Sequence, residues 1–320
     1  MALGETPALP GDAPTLSPCH PCHLRHPQNF DNLFNVKFAV SLLAGFIFGT
    51  SLAGIPEELP QPIGYKTVRP SDPKWKRASK SFGHSADLLL AKINRLDMGR
   101  LNGRSSLVVP SRPVGILECS PFPLALEEAA GWPKLVLVSL RVQAFAAYER
   151  GQLVQWGPTS TGIKKQPTPA NLYYTSWKSK RKASSLDRSW IMRWYVNLHT
   201  SMGVAFHQYA MPGRPFSHGC IRLLKADAEW MYRWTDHWVP NQDRVTPLVY
   251  GTPVIVFGEY DYAKPAPWRL LPQDPGATDV SLDELRPLFE KYGPVIDQRA
   301  RSREEHFGRS EPDTSPSNLN

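Results

Sequence analysis

The chain has 320 residues, 32 of them proline and four cysteine, with a formal net charge of +8. That length holds one large domain or two small ones with enough apolar content for a core. Only Cys119 and Cys220 lie beyond the N-terminal segment, which excludes a disulfide framework. Residues 1–53 carry a net −1, so the remainder carries +9 and suits a polyanionic partner, although most single charges only solvate a surface. The ten tryptophans fit a sheet-rich protein that handles a bulky substrate, core packing being the commoner use of any one of them.

Residues 1–53 read as an N-terminal extension plus signal peptide. Lys37 precedes the apolar run from Phe38 to Gly54, and the small residues Ser51 and Ala53 place cleavage after Ala53. The run is shorter than the roughly 20 apolar residues of a membrane span, so an uncleaved anchor is the lesser alternative. Export to the periplasm or cell envelope follows, with transient membrane contact through this segment. Signal peptides rarely begin so far in, and translation is expected to start near Val36. A peptide from residues 1–25 in the unprocessed precursor would contradict that. Cys19-His20-Pro21-Cys22-His23 has the form of a haem-attachment string. It precedes the export signal that haem attachment needs, and is read as chance.

Residues 54–133 read as a linker and a small helix and strand extension. Gly54 to Lys80 is proline-rich, basic and weakly patterned, the composition of a linker. Leu88, Leu89, Ile93 and Leu96 recur at helical spacing within His84 to Met98. After a turn at Asn102-Gly103, Leu107-Val108-Val109 makes a short strand ended by Pro110. A helix followed by such a strand is similar in outline to LysM-type wall-binding modules; a packing extension of the main domain is the preferred reading.

The clearest pattern covers residues 134–257. Leu135 to Val138 is a continuous apolar run, as in a strand buried on both faces. Gln143 to Tyr148 is a second strand, Glu149 to Gln152 a turn, and Leu153 to Trp156 the return. Thr159-Ser160-Thr161-Gly162 and Thr168-Pro169-Ala170-Asn171 follow, Asn171 being a residue that tolerates positive φ in a turn. Lys178, Lys180, Arg181 and Lys182 form a basic knot between Trp177 and Trp190. A solvated loop is preferred there over a contact for anionic glycan strands or peptide carboxylates. Leu223 to Trp234 is helix-compatible, with Leu223, Ala226, Trp230 and Trp234 near one face. Gly251 to Phe257 supplies a final strand. Residues 258–320 form a proline-rich C-terminal extension. In it, Ser281 to Glu284 caps a short helix reaching to about Tyr292, and the polar last twenty residues read as disordered.

The chemistry concentrates at Ser217-His218-Gly219-Cys220-Ile221-Arg222, preceded by Phe206-His207-Gln208-Tyr209. A free thiol ionises near about 8.5 and is mostly unreactive at neutrality, and a neighbouring imidazole or cation supplies the thiolate. In an extended segment His218 and Cys220 share one face. Taken alone, each would more often be a buried structural residue. His207, His218 and Cys220 together could also offer three ligands to zinc, though no acidic general base stands beside them.

The six residues from Ser217 match the SHGC(I/V)R signature of the YkuD-type L,D-transpeptidases. The stretch from Lys134 to Phe257, with its strand, tip and strand, its Thr159 to Gly162 element and its closing Gly251-Thr252-Pro253-Val254, resembles that family. The resemblance implies a mainly β fold, a YkuD-like L,D-transpeptidase β-sandwich with a few flanking helices. It also implies an exported cysteine acyltransferase whose partners, donor and acceptor, are peptidoglycan stem peptides. In that reaction the thiolate attacks the carbonyl of the third residue of a tetrapeptide stem, usually meso-diaminopimelate, and expels D-alanine. A second stem's amine then resolves the thioester into a 3-3 cross-link. By position, Cys220 is the nucleophile and His207 the proton donor and acceptor. His218 assists or binds substrate, backbone N–H groups of Gly219 and Cys220 form an oxyanion hole, and Arg222 holds a carboxylate or stabilises the loop beside Ser217. Carbapenems would acylate Cys220. No cofactor, metal or nucleic acid is implied, and Cys119 is read as a buried inert residue.

Three features depart from the family pattern. Gln208 stands where a glycine usually follows the histidine, and Thr168 to Asn171 lacks the glycine of the TP-x-G turn. The gap from His207 to Ser217 is short, so the loop turning at Met211-Pro212-Gly213 should be tight. The acceptor stays open: water would make an L,D-carboxypeptidase, and a protein lysine would anchor a protein to the wall. A non-catalytic wall-binding or zinc-binding protein is the reading from a different class.

Overall fold

The computed structural model describes residues 63–78, 80 and 86–308. The apolar run from Phe38, the Cys19 to His23 string, the expected start near Val36 and the polar end from residue 309 lie outside the described residues.

The stretch read as a linker contributes structure. Strand β1 (Tyr65–Val68) pairs antiparallel with β2 (Leu107–Pro110), and two helices, α1 (Pro73–Ala78) and α2 (Ala86–Asn94), lie between them. Helix α2 ends at Asn94 rather than near Met98. The Asn94 amide donates to Leu90 O and Val108 O and accepts the Val108 N–H, and Arg95 then turns to φ 58°. Leu89, Ile93 and Val108 join the same buried cluster as Leu135 and Tyr148, so this extension shares the main core. Each such side chain contributes roughly 1.5–3 kcal/mol on burial. Cys119 is buried and unbridged in that cluster, and burial pushes its thiol up to about 12.

The main element is a curled sheet of nine strands. They are β3 (Lys134–Ser139), β4 (Ala144–Glu149), β5 (Gln152–Ser160), β6 (Asn171–Tyr174), β7 (Lys178–Ala183), β8 (Ile191–His199), β9 (Val204–Gln208), β10 (Ile221–Leu223) and β13 (Pro253–Phe257). Their order is β6-β13-β3-β4-β5-β10-β9-β8-β7. Two short strands, β11 (Val239–Pro240) and β12 (Pro247–Val249), pair separately. Valine and isoleucine recur on the inward faces of β3, β8, β9, β10 and β13, side chains that suit a pleated buried surface. Val136, Val138 and Val254 from one half of the sheet meet Val196, Phe206 and Ile221 from the other in one buried cluster. The curl closes the sheet on itself as a sandwich does. The fold is mainly β, as expected.

Four local expectations are corrected. The basic knot is not a solvated loop but the edge strand β7. Its Lys178 ammonium donates to the carbonyls of Tyr232 and Thr235, and burial lowers it to about 8. Asn171 opens β6 and is not among the residues with positive φ; the Thr168 hydroxyl holds that turn instead, accepting from Gly162 N and donating to Gly219 O. Helix α3 (Lys225–Trp234) buries Asp227, Ala228 and Met231, leaving Ala226 exposed. An apolar-face reading misses this because Asp227 is buried by its ion pair with Lys92 (2.7 Å). After a short helix α4 (Pro267–Leu270), helix α5 (Leu282–Gly308) runs 27 residues through Pro287 and Pro294, well past Tyr292. Gly293 and Ile296 are buried, and Trp132 donates its indole N–H to Asp297 (2.6 Å), so packing carries the helix across its breakers.

Candidate active site

One parallel ladder assembles the site. Strand β10 pairs Ile221 with Phe206 and Arg222 with His207 on β9. Side chains alternate between the two faces of a strand, so Ile221 and Phe206 enter the core while Arg222 and His207 share the opposite face. Continuing the register places Cys220 beside Ala205, with which it packs. On its other side β10 pairs Arg222 with Ser160, which brings the Thr159 to Gly162 element to the same place.

His207 is buried at 4 % exposure, and its Nδ1 lies 3.1 Å from Gln208 O. A carbonyl only accepts, so Nδ1 carries the proton and Nε2 keeps its lone pair. Tyr195 stacks on the imidazole (6.4 Å, 20°), Trp177 stacks on Tyr195 (4.9 Å), and Tyr209 meets the far side edge-on (5.9 Å). Tyr195 reaches this face through a break in the β8–β9 register at Trp194, whose φ is 53°. Burial lowers the imidazole to about 4; the Gln208 carbonyl bond pulls it back up and the Arg222 charge pushes it further down. At neutral pH it is an uncharged base.

Cys220 is half-buried, and its thiol donates to Gly203 O at 3.0 Å. Burial raises the thiol to about 11, against the opposing pull of the Ala205 N–H and of the Arg222 and Lys182 charges. The thiolate expected from a neighbouring cation or imidazole is therefore not the resting form. The segment before it is not extended either: Gly219 lies at φ 108°, and residues 218–219 bend. His218 instead stacks on Trp190 (5.5 Å), although both it and Cys220 line one cleft. Gly219 N–H is taken by Ser217 Oγ (3.2 Å), and that hydroxyl donates to Cys220 O (2.5 Å). The oxyanion role expected of the Gly219 N–H is thus not open in this arrangement.

The extension holds the loop between His207 and Ser217. Asp97 N–H donates to Met211 O, Met211 N–H returns to Asp97 Oδ2, and Arg104 donates to Pro212 O (2.7 Å). Gly213 takes φ 80°, so the loop is tight as expected. Arg222 fills it from within, over the rings of Tyr209 (4.8 Å) and Phe216 (5.5 Å), with a long bond to Ala210 O. Of its two expected roles, these contacts are those of loop support.

The cleft has a volume of about 490 Å³. Cys220, His207, His218, Ser217 and Arg222 line it, with Lys182, Tyr195, Trp177 and Trp190 among their neighbours. Lys182 sits over the rings of Trp177 (5.3 Å) and Tyr195 (5.4 Å). No carboxylate lines the cleft among the described residues. Lys182, Trp177 and Trp190 enter the sequence reading only through the basic knot, where a contact for peptide carboxylates comes second to a solvated loop, and Tyr195 is not singled out there. Alternation alone does not sort this run, since Lys180 and Arg181 both line the reverse face while Lys182 lines the cleft. Among the described residues no three of His, Cys, Asp and Glu are grouped to hold a metal ion, so His207, His218 and Cys220 do not form the zinc site considered above.

Residues 133–256 match the family model described as YkuD, the L,D-transpeptidase catalytic domain. That segment is similar to the YkuD-type L,D-transpeptidase catalytic domain. Among solved structures, an L,D-transpeptidase from Stackebrandtia nassauensis is 22 % identical, over 40 % of this chain and 57 % of that one, with a TM-score of 0.33. An L,D-transpeptidase from Mycobacterium smegmatis is 20 % identical, over 39 % and 59 %, with a TM-score of 0.32. L,D-transpeptidase 1 from Mycobacterium tuberculosis is 24 % identical, over 39 % and 62 %, with a TM-score of 0.29. The chain thus spans about three fifths of the length of these L,D-transpeptidases. Comparison with curated proteins found no match.

Proposed function

We propose that the chain is an exported L,D-transpeptidase that forms 3-3 cross-links between peptidoglycan tetrapeptide stems through a thioester on Cys220. The observation that carries this reading is the cleft. A thiol and an uncharged imidazole with a bare Nε2 share one face of a ladder, flanked by Lys182 and Arg222, with no acidic side chain lining the cleft among the described residues. Such a cavity accepts an acidic peptide and repels a cationic one.

The steps follow from the resting protonation. The Cys220 thiol leaves Gly203 O by a side-chain rotation and passes its proton to His207 Nε2 as Sγ attacks the carbonyl carbon of the third stem residue. Because thiol and imidazole both start neutral, this is general-base catalysis and not attack by a stored ion pair. With Gly219 N–H engaged by Ser217, the Cys220 N–H is the oxyanion donor, a contribution of about 3 kcal/mol in acyl transfer. The C–N bond to D-alanine then breaks, and the Nε2 proton goes to the leaving amine. An acceptor amine attacks the thioester, gives its proton to Nε2, and the departing sulfur takes it back. Lys182, lying over the stacked rings of Trp177 and Tyr195, receives a stem carboxylate.

Incubating the protein with disaccharide-tetrapeptide tests this. Cross-linked dimer with loss of D-alanine supports transpeptidation, tripeptide alone would reassign the chain to L,D-carboxypeptidase action, and no turnover by folded protein would contradict the proposal.

A further inference from the structure

The reverse face of the same strands carries an uncompensated basic groove. Lys180 and Arg181 of β7, Arg193 of β8 and Lys225 of α3 line it, with Trp194 and Gln208 between them. Arg181 and Arg193 occupy directly opposite positions in the β7–β8 ladder. Like charges so placed destabilise a sheet unless a negative charge compensates them. All four cations are exposed, and none has a carboxylate within 4.0 Å among the described residues. Other exposed cations, Arg150, Lys165 and Arg188 among them, also lack such a partner, but these four converge on one groove.

The groove and the cleft are two sides of one structure. Arg181 lines the groove and Lys182 the cleft; Trp194 and Tyr195 divide likewise, as do Gln208 and His207. The register break at Trp194 is what turns Arg193 and Trp194 together toward the groove while sending Tyr195 to the imidazole. Strand β7 ends the sheet, so the two sites meet round its free edge.

We infer that this groove is a docking surface for an acidic polymer, and that its occupant is a second carboxylate-bearing stretch of the same wall polymer whose stem enters the cleft. The inference rests on the peptidoglycan reading above. A polymer passing round β7 places one acidic stem in the acid-free cleft and another in the groove. A soluble single stem reaches only the cleft.

The test compares the full chain with Arg181→Glu/Arg193→Glu and Arg181→Lys/Arg193→Lys. Binding is measured to purified sacculi stripped of accessory anionic polymers, to the same sacculi with their carboxyls amidated, to phosphatidylglycerol vesicles and to duplex DNA. Turnover is measured in parallel on soluble disaccharide-tetrapeptide. The charge-reversed variant should bind sacculi at least tenfold more weakly, as should the natural chain with amidated sacculi. The lysine variant should bind as the natural chain does, and soluble turnover should stay within twofold in all three. Because Lys180→Glu/Lys225→Glu leaves the Arg181–Arg193 pair intact and changes α3 besides β7, the same loss there guards against a folding artefact. Undiminished sacculus binding by both charge-reversed variants overturns the inference. So does a loss confined to vesicles or DNA. Absent soluble turnover by the natural chain would instead defeat the peptidoglycan reading on which it rests.

Discussion

Asp97 and Met211 are bonded twice: the Asp97 N–H donates to Met211 O at 3.1 Å, and the Met211 N–H donates to Asp97 Oδ2 at 2.8 Å. This pair joins the N-terminal extension to the loop that follows His207, and so gives residues 63–130 a part in shaping the cleft. Asp97→Ala should cost about 1–2 kcal/mol of stability, as expected for one charge-assisted bond. It should lower kcat/KM by roughly tenfold as the loop loosens, about the rate change of 1.4 kcal/mol. Hydrogen exchange should rise in residues 208–216 and stay unchanged in β3 and β4; an unmoved loop with normal turnover would contradict the role.

The thiol and imidazole begin uncharged, the thiol held up to about 11 and the imidazole down at about 4. Alkylation of Cys220 by iodoacetamide should therefore climb steadily with pH through the neutral range. Lys182→Met, which removes one of the charges favouring the thiolate, should slow it further. A plateau beginning near pH 6 or 7 would mean a preformed thiolate–imidazolium pair.

His207 also makes stability depend on pH. Its folded value lies below its ordinary 6.5, so its contribution is present in full above pH 6.5 and is lost as pH falls toward 4. The loss amounts to about 3 kcal/mol. His207→Gln should flatten the fall in denaturant midpoint between pH 6.5 and 4, and an equally steep fall in the variant would place the titrating group elsewhere.

Lys92 and Asp227 form an ion pair with both side chains 1 % exposed, and Asp227 Oδ2 has no hydrogen-bond partner among the described residues. Burial drives each toward its neutral form; the partner's charge opposes that for both, and the Gln155 amide, which donates to Asp227 Oδ1, also opposes it for the carboxylate. Removing one partner leaves a buried charge, so Lys92→Met should destabilise by about 3–5 kcal/mol. Lys92→Met/Asp227→Leu should recover most of that loss in chemical denaturation. A mild single variant would mean water reaches the pair.

What was legible in the sequence was local. The apolar run from Leu135 to Val138, the Glu149 to Gln152 turn and the Gly251 to Phe257 strand declare themselves by pattern, and each is found in the sheet. The cysteine and its histidine declare themselves by spacing. Charge hid the rest. Lys178 to Ala183 looked like a solvated loop because nothing in its composition shows that β8 lies beside it. Asp227 looked like the polar face of α3 because its partner lies 135 residues away. Gly54 to Lys80 looked like a linker because nothing local shows that Tyr65 to Val68 pairs with β2, which lies beyond both intervening helices. Tyr195 owes its place to a register break, which no periodicity reveals.

The most direct test is to trap the acyl-enzyme. Protein incubated with disaccharide-tetrapeptide, quenched in acid and digested, should yield the Cys220 peptide carrying the disaccharide-tripeptide as a thioester. The Cys220→Ala variant should be folded and carry nothing, and His207→Gln should acylate at a severely reduced rate. Full turnover by Cys220→Ala, or acylation at any other residue, would contradict the account.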